Sequence, residues 1–150
     1  MYSAYAFLHY RSRRPVGVRM GRHSGAYSGT LFELGPDGEV TIGDHCAIVG
    51  AIISTNGRVV IQDYAFIAHD VVIADSAMSA PGHTEVPSHN PSVVIGRNAW
   101  VGARAVLLGG ARLGEGAILG AGAVLDSAVP DYAIAAGNPA CVVGSAPRRA

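Results

Sequence analysis

The sequence predicts an all-β chain folded as a parallel β-helix of about four to five triangular coils. Three observations predict it. From Ile95 to Leu125 a large aliphatic residue recurs at every sixth position: Ile95, Val101, Leu107, Leu113, Leu119 and Leu125. An alanine precedes each of the last five by two residues: Ala99, Ala105, Ala111, Ala117 and Ala123. Glycine directly follows Ile95, Val101, Leu113 and Leu119. The period is neither the 3.6 of a helix nor the alternation of a two-sided strand. A six-residue unit is one short strand plus one turn, and three such units close a coil of roughly 18 residues. The aliphatics then stack inward from coil to coil, and the alanines point inward near the corners, where little room is left.

Residues 1–17 read as an irregular or helical lead-in rich in tyrosine and arginine. Val18, Met20 and Gly21 begin a first, loose repeat that Ala26 and Phe32 continue. Gly35-Pro36-Asp37-Gly38 is a strong turn signal. Clear hexads open at Val40, Ile42 and Gly43 and reach Ile48, with Cys46 at the small inward position. The motif slips at the turn-forming Thr55-Asn56-Gly57. It resumes through Val59, Ile61, Ile67 and Ile73, with Ala65 and Val71 at the small sites. Between Ala74 and Ser92 the period vanishes in a stretch with three prolines and two histidines. This predicts one loop excursion at 74–92, of a length that inside a compact domain carries function. The repeat returns at Val93, loosens from Val129 to Val143, and gives way to a tail expected to fray over 145–150. The whole is expected to be a single domain spanning 1–150.

Composition narrows the functional classes. The chain of 150 residues is 49% hydrophobic, 15% charged and has 20 glycines. Its formal net charge is zero, so nothing draws it globally to nucleic acid or to an anionic membrane. There is no lysine, and Arg11, Arg13, Arg14, Arg19 and Arg22 crowd the start as a solvated basic terminus. Two isolated cysteines, Cys46 and Cys141, make no disulfide framework. No run reaches membrane-spanning length, and Met1 to Tyr10 is too polar for a signal peptide. A cytoplasmic protein is expected.

Residues 95–144 read IGRNAWVGARAVLLGGARLGEGAILGAGAVLDSAVPDYAIAAGNPACVVG. Their ordered "IG…AWVG", "GAGAV" and "VP…GNPA" resemble the hexapeptide-repeat acyltransferases with a left-handed parallel β-helix. Trp100, Gly120-Ala121-Gly122 and Gly137-Asn138-Pro139-Ala140 point to the sugar and xenobiotic O-acetyltransferase branch. The resemblance implies a homotrimer that transfers an acyl group, with acetyl-CoA as donor, to a saccharide or similar small hydroxylic or amino acceptor. It places the acyl-CoA on the outside of the coils, in the cleft between subunits. With 18-residue coils, Ala103, Ala121 and Pro139 would stack as a shallow path for the cofactor, joined by Trp100, Gly120 and Asn138. Arg97 and Glu115, also 18 apart, would stack as a surface ion pair.

Acyl transfer from a thioester requires a base to deprotonate the acceptor, and histidine has the suitable pKa. Donors for the tetrahedral oxyanion could be backbone N–H groups. The family sets its histidine just after the strand that precedes the loop. Met78 or Ser79 stands there in this chain. His83, His89 and His69 are the remaining candidates, with Asp75 as the group that orients such a histidine or holds the acceptor. Two other readings stay open. One is a catalytically inactive trimeric scaffold. The other is a zinc enzyme like the trimeric γ-carbonic anhydrases, which needs three converging histidines; no metal is expected.

Overall fold

The structure, a computed structural model, describes residues 4–75 and 91–148. It winds the chain into short strands taken three to a coil. The first coil holds β1 (Val18–Met20), β2 (Gly25–Tyr27) and β3 (Leu31–Leu34). The second holds β4 (Glu39–Ile42), β5 (Ala47–Val49) and β6 (Ile52–Thr55). The third holds β7 (Arg58–Ile61), β8 (Phe66–Ile67) and β9 (Val72–Ala74). The fourth holds β10 (Val93–Ile95), β11 (Trp100–Val101) and β12 (Val106–Leu108). The fifth holds β13 (Arg112–Leu113), β14 (Ile118–Leu119) and β15 (Val124–Leu125). A partial sixth has β16 (Ala128–Val129) and β17 (Ala133–Ala136), after which β18 (Cys141–Ser145) runs back antiparallel along β17.

Stacked coils make three flat faces. Face A has the order β1-β4-β7-β10-β13-β16, face B β18-β17-β14-β11-β8-β5-β2 and face C β15-β12-β9-β6-β3. Apart from β17 and β18 every pairing is parallel. This is the left-handed parallel β-helix of the sequence reading, with about five turns.

The interior follows the hexad. Ile48, Ile53, Ile67, Ile73, Val101, Leu107 and Leu119 are fully buried, as are the small corner residues Ala51, Val71, Ala105, Ala117 and Ala123. Each aliphatic side chain so buried contributes about 1.5–3 kcal/mol of hydrophobic stabilisation. Above the first coil, the short 3-10 turn Ala4–Phe7 closes the open end. Ala6 is buried there, and the Phe7 ring stacks on buried Phe32 at 5.5 Å. At the other end Ala146 is buried, and Arg148 lies 5.1 Å from the Tyr132 ring centroid.

Coil length is not constant. On face B, Ala26 pairs with Ile48, a step of 22; Ile48 with Ile67, 19; Ile67 with Val101, 34; Val101 with Leu119, 18; and Leu119 with Ala135, 16. Faces A and C also step by 34 between the third and fourth coils (Val59 to Val93, Ile73 to Leu107). The excursion therefore omits no side: it adds 16 residues at the corner between faces C and A. Where the chain leaves, the Asp75 carboxylate accepts hydrogen bonds from the hydroxyls of buried Thr55 and of Ser92 through Oδ2. Where it rejoins, Ser92 donates from N to Arg58 O at 2.8 Å. The Arg112 guanidinium donates to the carbonyls of Pro91, Ser92 and Ala111. The neck is thus tied to the second, third and fifth coils.

Candidate functional site

At the corner between faces B and C the register aligns Gly50, His69, Ala103, Ala121 and Gly137 in one row, one from each successive coil. Each stands two residues beyond a buried inward residue, so each turns outward as the strand ends. The His69 side chain is exposed and leans over Gly50, where an added Cβ would stand 4.0 Å from Nδ1. Below it the row is bare. Among the described residues the backbone N–H groups of Ala103 and Ala121 find no hydrogen-bond acceptor, unlike their neighbours at Arg104 and Gly122, which donate to His69 O and Ala103 O at 2.9 Å. Beside the row, Asp70 and Arg104 form an exposed ion pair at 3.8 Å. The arrangement offers one imidazole and a column of unpaired donors along a strip without projecting side chains.

Several expected members of the site fall elsewhere. Pro139 does not continue the row. The last step is 16 residues rather than 18, so Gly137 stands under Ala121. Asn138 and Pro139 lie beyond it against Val124 on face C, where Val124 N donates to Gly137 O and Ala140 N to Val124 O. Gly120 borders the row on face B, its N–H bound to Ala135 O at 2.8 Å. Trp100 stands three residues before Ala103, roughly 10 Å away along extended chain. It is 52% exposed and meets Phe66 edge-on at 5.6 Å. Asp75 and His69 sit at opposite ends of β9, so Asp75 does not orient that imidazole; its Oδ1 is buried without a hydrogen-bond partner. His83, His89, Met78 and Ser79 lie outside the described residues.

The expected Arg97–Glu115 ion pair is absent. Arg97 instead lies over the Tyr64 ring, 5.4 Å from its centroid, and Glu115 Oε1 accepts a hydrogen bond from Tyr132 Oη at 3.1 Å. That hydrogen bond pushes the Tyr132 pKa up. Both contacts belong to the corner between faces A and B, which the sequence reading passed over. There the register aligns His23, His45, Tyr64, Asn98, Gly116 and Tyr132, all with φ between 55° and 62°. Carboxylates hold this corner together: Asp44 Oδ1 accepts from Arg22 N at 2.7 Å, Asp63 Oδ1 from Asp44 N at 2.8 Å and Asp131 Oδ1 from Glu115 N at 2.8 Å. The bond from the Arg22 backbone holds the Asp44 carboxyl below its usual range. Burial pushes the Cys46 thiol up, and its Sγ donates to Gln62 O at 3.1 Å. Among the described residues no group of three His, Cys, Asp or Glu side chains could hold a metal ion, and no helix is long and apolar enough to cross a membrane.

Comparison with known proteins agrees with the fold. Residues 92–127 match the family described as bacterial transferase hexapeptide (six repeats), so the fourth and fifth coils are a repeat of that type. No curated protein matches the sequence. Among solved structures, the chain is similar to a hexapeptide-repeat containing acetyltransferase from Vibrio cholerae. Identity is 21% over 89% of this chain and 76% of that one, with a TM-score of 0.69. Galactoside acetyltransferase in complex with coenzyme A is 22% identical over 85% of this chain and 65% of that one, TM-score 0.66. The polySia-specific acetyltransferase NeuO is 25% identical over 85% and 61%, TM-score 0.66. This chain thus spans about three fifths to three quarters of the length of these proteins.

Proposed function

We propose that the chain is an acyl-CoA-dependent acyltransferase that uses acetyl-CoA to acylate a hydroxyl or amine of a saccharide or similar small acceptor. The observation that carries this reading is the row at the B–C corner, where an exposed imidazole heads a bare strip with two free backbone N–H groups. An extended pantetheine arm carries amide carbonyls that such N–H groups satisfy, and Ala103, Ala121 and Gly137 leave it room. The His69 imidazole takes the proton from the acceptor as its oxygen or nitrogen attacks the thioester carbonyl. The tetrahedral intermediate collapses, the C–S bond breaks, and the thiolate leaves with the proton returned by the imidazolium. A backbone N–H of the row faces the developing oxyanion. That the galactoside enzyme binds coenzyme A, and that it and the polySia enzyme are acetyltransferases acting on sugars, supports the donor and the acceptor class.

The working assembly is a homotrimer. Its support is face C, whose outward column of Leu31, Ile52, Val72, Val106 and Val124 is aliphatic throughout and suits burial against another copy. Light scattering reads the assembly, and a monomer at micromolar concentration would remove it.

Incubation with acetyl-CoA and a panel of sugars, followed by release of free thiol, tests the activity. Absence of acetyl-CoA binding by calorimetry would overturn the reading. One observation favours a second reading, a trimeric scaffold without catalysis: Met78 or Ser79 stands where the resemblance sets a histidine. Acetyl-CoA binding without turnover on any acceptor would select it.

A further inference from the structure

Residues 4–16 form the layer that closes the helix above the first coil, and their backbone is tied down. Arg11 N donates to Leu34 O at 2.8 Å and Arg13 N to Pro36 O at 2.9 Å, so the segment runs beside the end of the first coil. Ser12 Oγ donates to Gly38 O at 2.7 Å. Ala6 is buried beneath this layer, and Phe7 packs on Phe32. The side chains left outside are of two kinds. Tyr5, Leu8 and Val16 are 73%, 69% and 46% exposed. Arg11, Arg13 and Arg14 are exposed in the same segment.

The charge of this end is one-sided. The chain as a whole is neutral, yet residues 1–32 hold five arginines and no aspartate or glutamate. The first acidic residues, Glu33 and Asp37, do not neutralise them. The ion pairs among the described residues are Arg22–Asp44 and Arg104–Asp70. Arg14 Nε meets the carbonyl of Asp37 at 3.4 Å, not its carboxylate. Exposed aromatic and aliphatic side chains are costly in water, and unpaired guanidiniums repel one another. A surface that is anionic outside and apolar just beneath relieves both, and an anionic bilayer has that layering. A soluble polyanion would relieve only the repulsion, and an apolar protein partner only the exposure.

We infer that this end of the helix docks on an anionic lipid surface. Tyr5, Leu8 and Val16 enter the headgroup boundary, and Arg11, Arg13 and Arg14 meet lipid phosphates in charge-assisted hydrogen bonds. The patch lies across the end of the helix and the acyl-transfer row along its side, so the docking does not rest on that reading.

Vesicle flotation of the full chain tests it, with phosphatidylcholine alone set against phosphatidylcholine containing phosphatidylserine. The expected result is binding to the second kind only, weakening as salt is raised. A basic side chain near such a surface is worth roughly fivefold in affinity, so replacing Arg11, Arg13 and Arg14 together by glutamine should cost about a hundredfold. Leu8→Ser should cost about tenfold at unchanged charge. All four positions are exposed, and an unchanged Tm confirms that the variants fold. Arg97→Gln removes the same charge from the A–B corner and leaves binding close to the parent. No binding to either vesicle, equal binding to both, full binding by the triple variant or no loss in Leu8→Ser would each overturn the inference. So would a loss in Arg97→Gln as large as in the triple variant. Capture on heparin without vesicle binding would make the partner a soluble polyanion and would overturn it as well.

Discussion

The B–C and A–B corners are built from the same coils and the same turns, yet they differ in what projects from them. Along the B–C corner the row is Gly50, His69, Ala103, Ala121 and Gly137, one imidazole among bare positions. Along the A–B corner it is His23, His45, Tyr64, Asn98, Gly116 and Tyr132, a ladder of rings interrupted at Asn98 and Gly116. The first is a strip of small residues below one imidazole, and the second is a stack in which the Arg97 guanidinium lies over the last ring of the run from His23 to Tyr64. A repeat that fixes the backbone so tightly leaves the outward residue at each corner free to vary, and the two corners use that freedom in opposite ways.

The sharpest way to break the comparison is His69→Ala. Turnover is expected to fall by roughly 10²–10⁴, the worth of a positioned base, while acetyl-CoA affinity in calorimetry stays close to the parent. A loss found instead with His83→Ala or His89→Ala would move the base into the segment 76–90. Next comes Ala121→Leu. A branched side chain in the strip should weaken acetyl-CoA about tenfold or more by obstructing the pantetheine path, with no drop in Tm because the position is exposed.

Smaller effects separate the corners by stability. Gly122→Ala at the B–C corner meets open space at φ +68° and should cost about 1 kcal/mol of backbone strain. Gly116→Ala at the A–B corner has nearly the same φ, +62°, but drives its Cβ into the Tyr132 ring, so it should cost measurably more in urea denaturation. The smallest effect is electrostatic. Burial raises the Cys46 thiol above its usual 9.0 in the folded state, so the unfolded chain ionises first as pH rises. Its contribution is complete below that value and is lost above it, giving a Tm that declines at alkaline pH. At neutral pH a thiol reagent should label exposed Cys141 quickly and buried Cys46 slowly.

The sequence made the fold legible where coil length was constant. Between Val94 and Leu125 each pairing is 18 residues apart, so counting by six recovered both the inward column and the Ala103–Ala121 stack. The same count failed for Pro139 because the final step is 16, and it left the first coil loose because that step is 22. It also missed the Asp70–Arg104 pair, which the 34-residue step sets on neighbouring coils. For Arg97 and Glu115 the register was right and the chemistry was not: each side chain found an aromatic partner that its own sequence neighbourhood does not reveal. The ladder had a readable signal. Each rung directly precedes the small residue that starts face B, as in His45-Cys46, Tyr64-Ala65 and Tyr132-Ala133. It escaped notice because only one hexad in three feeds that corner.

The segment between Asp75 and Pro91 adds its length at a single corner, and the faces on either side stay in phase, Ile67 opposite Val101 and Ile73 opposite Leu107. The helix therefore has a splice point. Lengthening an insert there raises closure entropy only slowly, by about 0.6 kcal/mol per doubling. With Asp75, Ser92 and Arg112 holding the neck, a cassette of another length or sequence could be exchanged at that seam without shifting any rung or row on either side. Such a chain can change what it meets at one corner while its other two corners are inherited intact.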